Sequence, residues 1–563
     1  MNRNTELANI YAPTTNIQRS RFPMSQNIKT TFNMGDLIPF YVDSDILPAD
    51  TMQYNFSCVI RQTTSATPTM DNAIADIYFV AVPWRLVWDS TKEFFGENKT
   101  GAWYSSTEKL IPQLETPSGG ASKGTIMDYV GIPTGIAGLK FSALPIRAIT
   151  ITYNELFRDQ NLIAPDTEYK DDTDRTASNT VSALGGAPYK VAKRHDYFTS
   201  LLPSSQKGPA VTIPVGPSSA PVMGTGLALG LTNGVNDYGI TGSLNNASQS
   251  YLGTKTEFYN VATGTTAPNT TWQNNGTQYA LGVTTDASKS GLVADLSNAF
   301  SATINAQRLA YQTQRILEKD ARGGTRYIEI IANHFLTTSP DARQQRPEYL
   351  GGKSIPINMT AVPQTSSTDA ISPQGNLSAY SHTVDSDYMF TKSFTEHTII
   401  LGFVCVRQLK HSYNQGLARQ WSRRRRLDVY WPALCHLGEQ AVLNKEIYAQ
   451  GPSAININTG NPYDEETMGF QERWAEYRQK NNIISGAFRT TYAQSLDFWH
   501  MGDDYNSLPV LSQQFIEETP DFLDRTLVVN HTVEDQYLMD AEVSIMATRP
   551  MSLHSVPGLV DHF

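Results

Sequence analysis

The chain has 563 residues, a formal charge of −10 and 17% charged residues, against roughly 25% in an average soluble domain. An acidic balance excludes a protein that grips nucleic acid with its whole exterior, and the length is ample for a full hydrophobic core. Three cysteines (Cys58, Cys405, Cys435), none in a CxxC spacing, argue against a disulfide framework and against a zinc knuckle.

Residues 1–28 are polar, carry Arg19 and Arg21, and show no clear periodicity, so an extended N-terminal arm is expected. The opening "MNRNTELANIYAPTTNIQRS" has no apolar h-region, and a soluble protein made in a reducing cytoplasm is expected. In "TMQYNFSCVIR" the residues Met52, Tyr54, Phe56, Cys58 and Ile60 alternate with polar ones, the period of a half-buried strand. "IYFVAVP" (77–83) is apolar throughout, which predicts a strand buried on both faces. Shorter helical turns are expected around "STKEFFGE" and "YNELFRDQN".

Residues 203–293 carry only six charges and are dominated by Gly, Thr, Ser, Asn and Ala. The stretch is too long for a plain loop, and its aromatic residues argue against full disorder. It is read as an inserted subdomain of short strands and turns. "DLSNAFSATINAQRLAYQTQRILEKDARGG" (295–324) predicts a helix with Asp295 or Ser297 as N-cap and a Gly-Gly stop. "HTIILGFVCVRQL" (397–409) predicts a strong strand, and its aliphatic run is far short of the roughly 20 residues that span a bilayer, so no membrane insertion is expected. "RRLDVYW" alternates Leu427, Val429 and Trp431 and is read as another strand. Phe470, Trp474 and Tyr477 stand at helical spacing, and Ala541, Val543, Ile545 and Ala547 alternate near the C-terminus.

Strands far apart in sequence, without regular intervening helices, exclude a parallel α/β fold and fit a mainly β protein. The expected architecture is an antiparallel jelly roll, a β-sandwich with long loop insertions and a few helices. Its parts are an arm (1–28), a first core segment (29–202), the insertion (203–293), and the remaining strands with a C-terminal arm (294–563).

No phosphate loop, HExxH, GxSxG or EF-hand pattern occurs. "CHLGEQ" starts like an HxxEH metal site with His436 and Glu439, but Gln440 stands where the second histidine belongs. "FIEETPDFLDR" holds carboxylates that a glycosidase pair would need, as any chain of this size does. No catalytic, cofactor or metal site is assigned, and no enzyme is expected.

Residues 401–430 reverse the trend in charge: seven Lys/Arg against Asp428 give +6, leaving −16 for the remainder. The density lies in "ARQWSRRRRLDVYWP", with Arg419, Arg423, Arg424, Arg425 and Arg426. On a strand, Arg423 and Arg425 would point one way and Arg424 and Arg426 the other. Such a run suits phosphate or carboxylate equally. DNA contact, an ion pair within or between subunits, and a solvated face all remain open for it, and Arg19 and Arg21 join the run as candidates for DNA or inter-subunit contact.

Several long segments resemble the major capsid protein of the gokushovirus branch of the Microviridae, small bacteriophages with circular single-stranded DNA. They include "KTTFNMGDLIPFYVDSDILPADT" (29–51), "PTMDNAIADIYFVAVPWRLVWD" (68–89), "KRHDYFTSLLPSSQKGPAV" (193–211), "ARGGTRYIEIIANHFLTTSPDARQQRPEYLGG" (321–352), "YWPALCHLGEQAVLNKEIY" (430–448), "QSLDFWHMGDDYNSLPVL" (494–511) and "RPMSLHSVPGLVDHF" (549–563). The resemblance implies an eight-stranded antiparallel viral jelly roll that self-assembles into a small T=1 icosahedral shell around the genome. It implies that the insertion forms protrusions at the threefold axes that meet a host surface receptor, with Tyr251, Tyr259, Trp272 and Tyr279 as attachment candidates. It also implies a separate small basic DNA-binding protein and a pilot-type minor protein as partners, and synthesis in the host bacterial cytoplasm before incorporation into the virion. Phe563 is a candidate for docking into a neighbouring subunit. The fourfold arginine departs from the shorter basic stretch of the family. Two other readings stand beside the capsid: a glycan-binding or glycan-cleaving jelly-roll protein, and a dedicated DNA-binding protein.

Overall fold

The computed structural model describes residues 19–98, 108–212 and 303–554 apart from 367 and 369–372, together with the backbone of five short strands between 213 and 302. Asp295, Ser297, Tyr251, Tyr259, Trp272, Tyr279 and Phe563 lie outside the described residues.

Eight strands build the main body: β1 (Ser20–Phe32), β2 (Asp36–Ile46), β3 (Thr51–Gln62), β4 (Ala73–Pro83), β5 (Glu348–Pro356), β6 (Thr383–Ser393), β7 (Thr398–Gln408) and β8 (Tyr537–Arg549). One sheet has the order β1-β8-β3-β6; the other has β5-β4-β7-β2, extended at the β2 edge by the two-residue strand Tyr189–Lys190. All these pairings are antiparallel. First pairs with last, second with seventh, third with sixth and fourth with fifth, which is the order produced by rolling up one long antiparallel hairpin, the jelly-roll pattern. The expected mainly β sandwich is observed.

The two sheets close over one core. Phe56, Tyr54 and Val543 from the first sheet meet Phe40, Phe79, Ile77 and Val404 from the second. Phe79 stands within 6.1 Å, centroid to centroid, of Phe40, Phe56, Tyr54 and Phe390, at edge or tilted angles favoured by aromatic quadrupoles. A second apolar layer covers the other face of the second sheet. It packs Val80, Val82, Leu401, Phe403 and Cys405 against the helix α1 (Leu144–Thr152) and its surroundings. Burial on both faces is why β4 and β7 read as continuous apolar runs, whereas β3 and β8, wet on one face, alternate.

Several local expectations are corrected. Residues 20–28 belong to β1 and pair with β8 along their whole length, so this part of the arm is sheet. Sequence "LPIRAITIT", rich in β-branched residues, forms α1 with Pro145 in its first turn, and the expected turn at 153–157 continues it as a π-helix. The helix predicted at 470–477 is not formed: Phe470 lies in the strand Thr467–Glu472, and Trp474 adopts φ +68°, leaving one helical turn, Ala475–Arg478. Phe470 exchanges two 2.8 Å backbone hydrogen bonds with Leu202, which fix it as extended. The helix α2 (Ile304–Arg322) forms and stops before Gly323 and Gly324 as expected; a Cβ at Gly324, φ +92°, would sit 2.3 Å from the Glu329 carboxylate. A second positive-φ glycine, Gly35 at +85°, turns β1 into β2 where a Cβ would meet the Glu518 carbonyl at 2.4 Å.

Four of the seven connections between the eight strands are short, and the β5–β6 connection holds a hairpin in which Met359–Pro363 pairs with Leu377–Ser381. The β4–β5 and β7–β8 connections are long, and each carries structure of its own. Within the first, residues 208–316 form a separate compact unit. Its strands pair as Val222–Gly224 with Leu292–Ala294, and as Gly230–Thr232 with Asp237–Gly239 and Gly282–Val283. Within the second, Val442, Ile447, Met468, Phe515 and Ile516 build a third core with Tyr197, Phe198 and Leu201, and this is the platform for the arginines.

Candidate nucleic-acid and subunit interface

Arg419 to Leu434 is a succession of three tight 3-10 turns, Arg419–Ser422, Arg426–Asp428 and Pro432–Leu434, and the strand expected at "RRLDVYW" is absent. The cause is local. Asp428 Oδ2 accepts hydrogen bonds from the amides of Arg424 (2.9 Å) and Arg425 (2.7 Å), two donors that a ladder would need. Those amide bonds, the first above all, hold the Asp428 carboxyl below its ordinary range. Pro432 then removes another donor.

The turns divide the five arginines by function, and the division does not follow strand alternation. Arg419 donates to the Ala441 carbonyl (2.7 Å) and to Glu446 (3.1 Å). Glu446 is buried and also accepts from Tyr197 Oη (2.9 Å) and the Leu443 amide (3.0 Å). Burial raises the Glu446 carboxyl despite these donors. Arg423 donates to Glu476 (3.2 Å) and lies over the Tyr477 ring at 4.3 Å. These two are clamps onto the chain's own acids within one subunit.

Arg424, Arg425 and Arg426 are exposed. Among the described residues, no carboxylate lies within ion-pair distance of their guanidinium groups. Arg426 rests on Trp431 at 4.7 Å, and the Trp431 indole donates to the Arg426 carbonyl (2.9 Å). Beside them Trp421 is 71% exposed, with Leu427, Val429 and Tyr430 also open. Trp421 and Arg419 line a cleft of about 350 Å³, whose other walls include Gln420, Lys480, Asn481 and Asn482. Sequence reading singled out the arginines and missed Trp421, although it stands two residues before the fourfold run.

The other expected positions are placed as follows. Arg19 hydrogen-bonds to the Ala49 carbonyl, and Arg21, exposed on β1, pairs in register with Thr548; neither lies in the arginine turn. His436 is exposed, while Glu439 is paired with Arg322. His500 bonds the Phe488 carbonyl (2.9 Å) and the Gly502 amide (3.0 Å), a structural hydrogen bonder. Asp521, Asp524 and His531 come close enough to surround an ion, with His531 Nδ1 already bonded to Asp524. Cys58 and Cys405 are free and buried, and burial pushes both thiols up to about 12.

A buried ionic cluster escaped the sequence altogether. His411 lies between Asp503 (2.9 Å from Nδ1) and Glu518 (3.1 Å from Nε2), and Lys193 reaches the other Asp503 oxygen at 2.7 Å. All four side chains are essentially sealed from solvent. Burial alone would lower the imidazole pKa, but the two carboxylates outweigh it and raise it to about 10. The group therefore carries its proton and ties β7 to the segment leading into β8.

Residues 11–559 match the family described as "Capsid protein (F protein)". The chain is 40% identical to "Capsid protein VP1" of Bdellovibrio phage phiMH2K over 98% of its length and 97% of that protein's. It is 38% identical to proteins of the same name from Chlamydia phage 1, covering 97% and 96% of the two chains, and from Spiroplasma virus 4, covering 96% of each. The chain belongs to this family of bacteriophage capsid proteins, of the gokushovirus type within the Microviridae, and its role is that of a major structural subunit of the virion.

Proposed function

We propose that copies of this chain close into a small T=1 icosahedral shell around a circular single-stranded DNA genome, and that the unit at 208–316 forms the surface protrusion that attaches to the host. The near full-length similarity to three phage capsid proteins carries this reading. The polar, weakly charged composition supports it, because subunits of a closed shell bury much of their surface in repeated contacts that disfavour lysine-rich faces. The chain's work is structural, not enzymatic. With −10 net charge it cannot neutralise a genome alone, so a small basic DNA-binding protein shares the interior. A pilot-type minor protein completes the particle, and synthesis takes place in the host cytoplasm.

Expressing the full chain and imaging the product tests this. Uniform closed particles, or regular pentamers that close on addition of the basic protein, are the expected result. A chain that stays monomeric at high concentration, or that cleaves a polysaccharide, overturns it.

A further inference from the structure

We propose that the cleft beside Trp421, together with the guanidinium groups of Arg424, Arg425 and Arg426, is a binding site for single-stranded nucleic acid. In it a base stacks on the Trp421 indole while phosphates lie along the arginines. This deepens the reading of the chain as a shell around single-stranded DNA and rests on it only for the identity of the strand.

Three adjacent like charges repel one another, and the carboxylate within the run, Asp428, is held by backbone amides. The acids that line the cleft, Glu446 and Glu476, are held by Arg419 and Arg423. What remains facing solvent is a net positive charge, three guanidinium groups against one carboxylate. Two residues before the run stands Trp421, an indole that the fold leaves 71% exposed, and it borders a cleft of about 350 Å³ whose walls include the side-chain amides of Gln420, Asn481 and Asn482 and the ammonium of Lys480. Cationic groups that track a backbone, beside an aromatic face on which bases stack, are how proteins hold single strands. Amides at the wall can bond to the Watson–Crick edges of bases, which only an unpaired strand exposes. Arg426 on Trp431 adds another flat cationic surface.

The test uses the full chain, a short labelled oligothymidine and a duplex of equal length, titrated over a series of salt concentrations. The expected result is preference for the single strand, with quenching of tryptophan fluorescence that disappears in Trp421→Ala. Trp421→Ala should weaken binding about ten-fold. Arg424→Ala with Arg425→Ala should lower the slope of log affinity against log salt by about 1.4, the share of two phosphate contacts on a single strand. Arg478→Ala, which removes an exposed arginine paired with Glu472, should leave both quantities unchanged. These residues are exposed, so the variants should keep the parent's thermal unfolding, and that is measured alongside. Wild-type affinity in the Trp421 and double-arginine variants overturns the site. Normal oligonucleotide binding with failed shell formation also overturns it, and makes the patch a contact between copies. Failure of the parent chain itself to assemble would count against the capsid reading, while the oligonucleotide titration would still decide this site.

Discussion

At the scale of single residues, the arginine run shows how one motif divides its labour. Five arginines within eight positions look equivalent in sequence, yet Arg419 and Arg423 lock onto buried or half-buried acids while the last three face outward. Composition located this site but not its division, because the acids that claim two of the arginines come from Glu446 and Glu476, up to 53 positions away. His411 was invisible for the same reason: its partners lie 92 and 107 positions on. Its raised pKa has a definite consequence. A group whose folded pKa exceeds its unfolded value, near 6.5 for histidine, contributes stability that is fully present below about 6.5 and is lost as the pH rises through about 10. His411→Ala leaves Glu518 buried without its partner and should cost about 3–5 kcal/mol. Denaturant unfolding of parent and variant should show that difference at about pH 6 and a smaller one at about pH 9. An equal difference at both would mean that the imidazole is neutral in the folded protein.

At the scale of elements, legibility followed solvation. β3 and β8 have one wet and one dry face, so their period of two was plain in the sequence. β4 and β7 lie between two apolar layers, and their unbroken hydrophobicity was equally informative. β1 was read as an arm because it is an edge strand whose residues are mostly exposed. α1 was missed because Ile146, Ile149, Thr150, Ile151 and Thr152 carry strand propensity, and burial of nearly the whole helix overrides it. In the arginine turn the alternation of Leu427, Val429 and Trp431 was real but belongs to exposed side chains, so no sheet enforces it. Register can be tested on β8. Val543 is fully buried opposite Phe56, while its neighbour Ser544 faces outward opposite Ser25 and Asn55. Val543→Lys should destabilise the subunit by about 4 kcal/mol or more, and Ser544→Lys by no more than about 0.5 kcal/mol. A larger cost for Ser544→Lys than for Val543→Lys in a thermal unfolding assay would indicate a strand slipped by one residue, since such a slip exchanges the two faces.

At the scale of the whole molecule, the eight-stranded sandwich is a closed solution to its own folding problem, and the two long excursions are additions to it. The first excursion leaves and re-enters the main body at neighbouring points: the Lys207 amide donates to the Leu317 carbonyl at 3.2 Å. Excision there cuts α2, but its last six residues, Leu317–Arg322, stay anchored to the main body through Arg322, which pairs with Glu439 and Glu472, and the two ends to be joined already meet. Replacing 208–316 with a short Gly-Ser turn should therefore preserve folding. Closing a loop of about a hundred residues costs more entropy than closing a short one, by about 0.6 kcal/mol per doubling, so the excised protein should be at least as stable as its parent, by up to about 2 kcal/mol. If this unit serves attachment and the sandwich serves the shell, the shortened chain should still form closed particles under the electron microscope, and those particles should no longer adsorb to host cells. Particles that fail to close would place subunit contacts in 208–316, and particles that still adsorb would move the attachment surface onto the sandwich or its second excursion.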